Sequence, residues 1–269
     1  MIKINDNKLC SGCSACFSIC PVDSITMRED NEGFLYPFVD INTCIKCGKC
    51  VKVCPWSNPS LVLRDESEEL SKCFAAYLKE EELRLVSSSG GLFAVFAKAI
   101  LDRNGIVYAA AFDDSFEAYH KAAEDLGSVK ALIGSKYMQS RLGFTLRSVK
   151  AELLKGRDVL FVGTACQVAG MIAYLGKRYS NLVCMDIICL GVPSPKIWRE
   201  YLQTYFPGAA IQSINFKDKS AGWHSFSLRI QGKEQVYCRL GTSDPFFSGY
   251  FEGLYSRPSC SACRFKSRN

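Results

Sequence analysis

The chain has 269 residues, of which 48% are hydrophobic and 22% are charged, with a formal net charge of +6. This length is sufficient for one small and one medium domain with a sizeable core. No apolar run approaches the roughly 20 residues that a bilayer span requires, and no signal-peptide core follows Met1. We therefore expect a folded cytoplasmic protein without a transmembrane segment, in which the fifteen cysteines serve metal ligation rather than disulfides.

Two runs of four cysteines share the spacing C-x2-C-x2-C-x3-C-P. The first run is Cys10, Cys13, Cys16 and Cys20, followed by Pro21, and the second is Cys44, Cys47, Cys50 and Cys54, followed by Pro55. Zinc sites instead use two separated pairs of ligands. The spacing therefore predicts two 4Fe-4S clusters, and each cluster with its four thiolates offsets roughly two of the positive charges.

The N-terminal segment resembles the bacterial two-cluster ferredoxins, in which the fourth cysteine of each run binds the other cluster. This resemblance assigns Cys10, Cys13, Cys16 and Cys54 to one cluster and Cys20, Cys44, Cys47 and Cys50 to its neighbour. Gly12 and Gly48 are expected to allow the backbone to approach the clusters. Strands are predicted at Ile25 to Arg28 and Phe34 to Val39, joined by a turn ending at Gly33.

The next stretch is charged and lacks a steady apolar period, so we interpret residues 59–72 as a linker between a domain at 1–58 and a larger domain at 73–269. The larger domain alternates short apolar runs with amphipathic stretches, which predicts an α/β domain. Its predicted strands are Cys73 to Leu78, Ile106 to Phe112, Val159 to Val162, Leu182 to Ile188, Ile211 to Phe216, Ser225 to Ile230 and Gln235 to Leu240. Its predicted helices are Gly91 to Leu101, Thr145 to Leu154, Gln167 to Leu175 and Pro195 to Tyr205. Because the last three strands are consecutive, a mixed sheet is expected.

Seven cysteines lie outside the repeat. Cys166 and Cys189 each follow a predicted strand, where α/β folds build their sites, and Cys260 and Cys263 form a C-x2-C pair. On spacing alone, a third cluster formed by these four residues and a reading as small buried cysteines, with the pair binding zinc or nothing, stay equally open. Cys73, Cys184 and Cys238 lie inside apolar strands and are expected in the core.

The chain as a whole resembles the coenzyme F420 hydrogenase/dehydrogenase beta-subunit family. The resemblance rests on five motifs, which lie at residues 87–91, 134–137, 163–167, 189–193 and 258–263. It implies that Cys166, Cys189, Cys260 and Cys263 hold a third 4Fe-4S cluster and that the protein binds FAD. It also implies flavin or substrate contacts from Ser88, Ser89, Gly90, Gly91, Lys136, Tyr137, Lys219 and His224. Free amides at a helix start after Gly91 suit a pyrophosphate, whereas an ordinary serine cap is the alternative.

The resemblance implies an iron–sulfur flavoprotein oxidoreductase that passes single electrons between clusters and FAD and exchanges a hydride with coenzyme F420 or a similar organic partner. It also implies a redox partner protein or another oxidoreductase subunit, and family members continue beyond Asn269, so a shortened C-terminus is expected. No protein acid or base is predicted as catalytic. One alternative is a ferredoxin-like electron-transfer subunit without flavin. A nucleic-acid-binding protein using Lys130, Lys136, Arg141, Arg147 and Lys150 is the less favoured alternative, because these cations are scattered.

Overall fold

The two cysteine runs fold into equivalent loops on either side of one hairpin. The computed structural model describes residues 1–61 and 72–265. Helix α1 (Ala15–Ile19) follows the first run, strands β1 (Ile25–Glu29) and β2 (Leu35–Val39) pair antiparallel, and helix α2 (Lys49–Lys52) follows the second run. Equivalent positions of the two runs share a left-handed backbone: Gly12 matches Lys46, and Ser14 matches Gly48. The repeat is therefore structural as well as sequential.

The central sheet has four strands in the order β4-β3-β5-β6. Strands β3 (Ile106–Phe112), β5 (Val159–Thr164) and β6 (Leu182–Ile187) are parallel, and β4 (Ala118–Ala123) pairs antiparallel with β3. Alternate residues of β3 and β5 are buried on opposite faces, because successive strand side chains point to opposite sides. Tyr108 and Phe161 join the core on one face, whereas Val107 and Leu160 join the core on the other.

Helices cover both faces of this sheet. Helix α6 (Thr145–Leu154) and helix α7 (Ala165–Leu175) contribute Leu146 and Met171 to the first core, which also contains Cys13. Helix α4 (Leu92–Leu101) contributes Ala97 and Ile100 to the second. The cysteine-rich N-terminal region thus packs onto the α6 and α7 side of the sheet.

A separate three-stranded antiparallel sheet follows. It consists of β7 (Ile211–Asp218), β8 (Ser227–Gly232) and β9 (Val236–Leu240). Helices α8 (Pro195–Tyr205) and α9 (Pro245–Phe251) pack against it around the buried Trp198, Phe216 and Phe247. The remaining short α-helices are α3 (Glu81–Val86), α5 (Leu126–Val129) and α10 (Pro258–Ser261).

The predicted fold class, a ferredoxin-like region followed by a domain with a mixed sheet, is confirmed, but two details are corrected. The sheet is mixed because of β4, which the sequence did not predict, whereas the three last strands form their own sheet. The segment Cys73 to Leu78 is not a strand; its described backbone bond is from the Leu78 amide to the Gly90 carbonyl oxygen.

Three further predictions meet the structure differently. Cys73 and Cys238 are exposed rather than in the core, and Cys184 is only partly buried. Residues 62–71 of the predicted linker lie outside the described residues. None of the helices in the described part combines the length and apolarity that a membrane crossing requires.

Candidate functional site

The first cysteine group lies in the interior and consists of Cys10, Cys13, Cys16 and Cys54. Burial raises the pKa of Cys13 to about 12, and the neighbouring Cys10 and Cys54 add to the rise. Burial also raises the pKa of Cys10 and Cys16, with Cys54 again contributing to both. The fold therefore places Cys54 of the second run beside the first three cysteines of the first run, as the predicted ligand exchange requires.

The second cysteine group lies at the surface. Cys20, Cys44, Cys47 and Cys50 line one small cavity together with Ile45, and Cys47 and Ile45 are exposed. Burial alone would raise the pKa of Cys20, but hydrogen bonds from the Ser24 hydroxyl and nearby amides lower it overall. Cys16, Cys20, Cys50 and Cys54 share one apolar cluster, so the two groups are neighbours.

The third group joins residues that are far apart in the chain. Cys166 lies in the first turn of α7, Cys189 follows β6, and Cys260 lies in α10 close to Cys263; all four line one small cavity between Trp56 and Phe265. Burial raises the pKa of Cys166 to about 12, and Cys189, Cys260 and Cys263 add to the rise. The four cysteines named by the resemblance are thus brought together.

Helix α7 connects the first group with the third. A methyl group added at Gly170 would lie 2.9 Å from the Sγ of Cys13, so the helix backbone touches this cysteine. Cys166, one turn earlier on the same helix, is close enough to contribute to the raised pKa of Cys13. The three groups therefore form a row from the surface to the interior.

The donor atoms and their surroundings fit iron–sulfur clusters. No group of three or more His, Cys, Asp or Glu side chains in the described residues is arranged to hold one metal ion. Ligands of a cubane bind separate iron atoms and so stand farther apart than ligands of a single ion, and purely thiol sets select iron–sulfur or zinc sites.

Unsatisfied polar atoms lie beside the same cysteines. Buried side-chain atoms without a hydrogen-bond partner include Ser11 Oγ, Ser18 Oγ and Trp56 Nε1, which lie within two residues of Cys10, Cys16 and Cys54 respectively. Buried donors are rarely left without a partner. Cluster sulfurs accept hydrogen bonds, and these atoms are suitable donors for them.

A cavity of about 610 Å³ adjoins the third group, and Cys166 and Cys189 form part of its wall. Six of the eight residues that the resemblance assigned to flavin or substrate line this cavity: Ser88, Ser89, Gly90, Gly91, Lys136 and Tyr137. The volume lies within the range of small-molecule and cofactor sites. The structure therefore brings the predicted phosphate loop and the third cysteine group to one cavity.

Lys219 and His224 do not line the cavity. The Lys219 ammonium donates hydrogen bonds to the carbonyl oxygens of Arg84 and Ser89, so it holds the serine loop from outside. His224 is exposed in the turn after Gly222. A direct flavin contact predicted for these two residues is thus not supported by their positions.

The loop at residues 87–91 leads into α4 with free backbone amides. Helix α4 begins after Gly91, whose φ is +82°, and no side chain caps the helix. Ser88 Oγ accepts hydrogen bonds from the amide and hydroxyl of Ser135. A methyl group at Gly90 would lie 2.9 Å from the Ala76 carbonyl oxygen, so this glycine also serves chain packing. The uncapped amides remain available to an anion.

Two titratable side chains of the cavity wall are held by the protein. Lys136 donates hydrogen bonds to four carbonyl oxygens of residues 131–134, and burial lowers its pKa to about 7. His120 Nε2 donates to the Val162 carbonyl oxygen, so Nδ1 accepts from Ser140, and burial lowers the pKa of this imidazole to about 4. His120 is therefore neutral at physiological pH.

Further cavity residues were not found from the sequence. They are His120, Gln139, Met185, Lys217, Phe226, Tyr250 and Phe251. They come from separate elements and carry no shared spacing, so no local pattern could have identified them. The cations considered for nucleic acid are partly engaged: Lys136 is buried in carbonyls, Arg141 pairs with Asp113, and Arg147 pairs with Asp23.

Comparison with known proteins yields matches over most of the chain. Residues 9–58 match the model of a 4Fe-4S dicluster domain, and residues 36–81 match a second model with the same description. Residues 156–269 match the model of the C terminus of the coenzyme F420 hydrogenase/dehydrogenase beta subunit.

Individual relatives cover smaller parts. The B subunit of the Na(+)-translocating ferredoxin:NAD(+) oxidoreductase complex from Acetobacterium woodii is 41% identical over 64 residues, which are 24% of this chain and 18% of that protein. An uncharacterized ferredoxin from Methanocaldococcus jannaschii is 33% identical over 52 residues, which are 19% of this chain and 66% of that protein.

A solved structure also resembles the chain. It belongs to the xenon-derivatised F420-reducing NiFe hydrogenase complex from Methanosarcina barkeri, with a TM-score of 0.47 and 14% identity, and the match covers 70% of this chain and 63% of that chain. The chain spans less than two thirds of each of these three proteins.

Proposed function

Because the chain belongs to the coenzyme F420 hydrogenase/dehydrogenase beta-subunit family through residues 156–269 and carries a 4Fe-4S dicluster domain at residues 9–58, we propose that it is an iron–sulfur flavoprotein oxidoreductase. It passes single electrons between 4Fe-4S clusters and FAD and exchanges reducing equivalents with a deazaflavin such as coenzyme F420 or a similar organic partner. Iron–sulfur electron transfer is the part of this function that the family matches establish.

One observation carries the proposal: the cavity of about 610 Å³ has Cys166 and Cys189 of the third cysteine group in its wall. A molecule in this cavity would contact the inner end of the row of cysteines. FAD, when bound, supplies the conversion between one-electron and two-electron chemistry that clusters lack. We propose that this cavity holds FAD and that the third group holds a further 4Fe-4S cluster.

The residues of the chain then have separate roles. The uncapped amides after Gly91, with Ser88 and Ser89, bind the negative pyrophosphate at the positive end of α4. Lys136 adds positive charge to the same wall when it is protonated, and Tyr137 supplies an aromatic face. The apolar side chains of Met185 and Phe226 keep water away from the isoalloxazine. No side chain is assigned as an acid or base.

The exposed second cysteine group is the entry point for electrons in this proposal. Cys47 is exposed, whereas Cys13 of the first group is buried. An external redox protein or another oxidoreductase subunit therefore reaches the row at its Cys47 end. The cavity lies at the opposite end of the row, so the two partners do not compete for one surface.

A second candidate is an electron-transfer subunit without flavin. It is favoured by the positions of Lys219 and His224, two predicted contacts that lie outside the cavity. This candidate retains the N-terminal clusters and leaves the cavity without a resident cofactor. The two candidates differ in flavin content, which can be assayed directly.

Anaerobic purification with iron, acid-labile sulfide and flavin measured on one sample tests the proposal. We expect roughly twelve irons and one FAD per chain. C166S should lower the iron to roughly eight, whereas the matched control C238S, at an exposed cysteine, should leave it unchanged. Roughly eight irons without flavin in the native chain, even after reconstitution, would favour the electron-transfer subunit.

A further inference from the structure

Arg257 is a fully buried arginine, only 1% exposed, that joins the first cysteine group to the C-terminal loop. Its Nε donates a hydrogen bond to the Cys10 carbonyl oxygen at 2.8 Å, and its Nη2 donates to the Leu35 carbonyl oxygen at 2.9 Å. Its Nη1 donates to Gln139 Oε1 at 2.5 Å. Nη2 also lies 3.8 Å from Cys10 Sγ.

The surrounding backbone is shaped to admit this side chain. A methyl group at Gly12 would lie 2.9 Å from Arg257 Nη1 and 2.5 Å from Gln139 Nε2. Gln139 Nε2 in turn donates to the Ser11 carbonyl oxygen. Gly12 is therefore needed for contact with Arg257 and Gln139, whereas a methyl group at the second glycine of the repeat, Gly48, would meet nothing.

The charge of Arg257 lacks a carboxylate among its described partners, which are two carbonyl oxygens, an amide oxygen and a thiol. A guanidinium does not lose its proton in proteins, and a buried charge is costly unless an opposite charge lies nearby. The nearest anionic candidate is the Cys10 sulfur. A four-thiolate cluster carries roughly two negative charges, which would compensate Arg257.

Arg147 provides a comparison within the same molecule. It also attaches the N-terminal region, by donating to the carbonyl oxygens of Ser18 and Cys20, but it pairs with the Asp23 carboxylate at 2.5 Å. Its side chain is 28% exposed. Arg147 is therefore compensated and partly screened by water, whereas Arg257 is neither.

We propose that Arg257 sets the reduction potential of the cluster held by Cys10, Cys13, Cys16 and Cys54. The proposal rests on the cluster assignment within the proposed function. Adding an electron increases the negative charge of a cluster, so a buried positive charge beside a ligand sulfur stabilises the reduced form and raises the potential. Arg257 thereby makes this cluster a better electron acceptor than its exposed neighbour.

The test is a redox titration of the holoprotein followed by electron paramagnetic resonance, with iron measured on each sample. In R257Q, we expect the ratio of reduced to oxidised cluster at a fixed potential to fall at least tenfold for one N-terminal cluster, which is 59 mV for a one-electron couple. R257K keeps the charge and should change the ratio by less than about threefold. R147Q is the matched control and should also stay within about threefold, because that site is compensated and exposed to solvent.

A second variant preserves the packing if R257Q loses its iron. Q139E places a carboxylate beside Nη1 and neutralises Arg257 without removing it, so the same cluster should again become harder to reduce. Full iron content with an unshifted midpoint in R257Q, or in Q139E where R257Q loses iron, would show that Arg257 is only structural. Absence of N-terminal cluster signals in the native protein would instead contradict the cluster assignment, and absence of FAD alone would leave the Arg257 test intact.

Discussion

The two N-terminal cysteine groups share one spacing but occupy different surroundings. The group with Cys47 lies at the surface, whereas the group with Cys13 packs against α7 and Arg257. The difference arises from the larger domain, since its contacts enclose one half of the repeat and leave the other half open. Identical ligand spacing can therefore serve both electron entry and internal transfer within one chain.

The largest expected effect comes from closing the contact between Gly170 and Cys13. In G170A, the added methyl group would overlap the Cys13 side chain, at 2.7 Å from Cβ and 2.9 Å from Sγ. We expect roughly four irons to be lost from the buried group, with the exposed cluster retained, as measured by iron content and electron paramagnetic resonance. I172A, an exposed position on the same helix, should keep its iron; native iron content in G170A would contradict the contact.

The buried end should also respond to acid through His120. Its folded pKa is about 4, below the value of about 6.5 in unfolded chains. The unfolded chain therefore binds the proton more strongly between these values, so stability is complete above pH 6.5 and falls as the pH drops toward 4. Between pH 7 and pH 5, the native chain should lose about 2 kcal/mol of unfolding free energy through this group.

Urea unfolding of the native chain and H120Q at both pH values measures this contribution. Acid effects on other groups occur in both proteins and cancel in the comparison. H120Q cannot titrate at this position and should lose about 2 kcal/mol less than the native chain. Equal losses would mean that His120 is not held neutral in the folded state.

The smallest effect is expected at the exposed end. Lys46, Lys49 and Lys52 are exposed beside Cys47. Changing all three to glutamate should slow reduction by an acidic ferredoxin about tenfold at low salt, with a smaller effect at high salt. Reduction by methyl viologen, a small cation, should not slow down. The control K121E/K130E/K233E changes the same net charge at other exposed lysines; equal slowing there would show that net charge alone is responsible.

The sequence was most informative where the chemistry is local. The spacing of the two cysteine runs and the turn ending at Gly33 fix their own neighbourhood, so the dicluster domain and its hairpin were predicted. Strands β3, β5 and β6 were found because they are nearly continuous apolar runs, as buried parallel strands are. Strand β4 was missed because Tyr119, His120 and Lys121 interrupt the apolar pattern at the sheet edge.

Contacts between distant residues were harder to predict. Cys166 and Cys263 are 97 positions apart, and spacing alone did not decide whether they form one group. The resemblance supplied that set, and the fold then brought its members together. Arg257 gave no signal at all, since one arginine beside a C-x2-C pair is ordinary until its burial and its contacts with Cys10 are known.

Helix α7 fixes the separation between the inner two cysteine groups. Cys166 and Gly170 are four residues apart, so they lie on the same helix face with an axial rise of about 6 Å. A helix backbone does not stretch, and electron tunnelling depends steeply on distance. The tunnelling step between these groups should therefore be insensitive to loop motion. Any control of the overall rate must act at the ends, where a partner docks beside Cys47 or where a ligand enters the cavity.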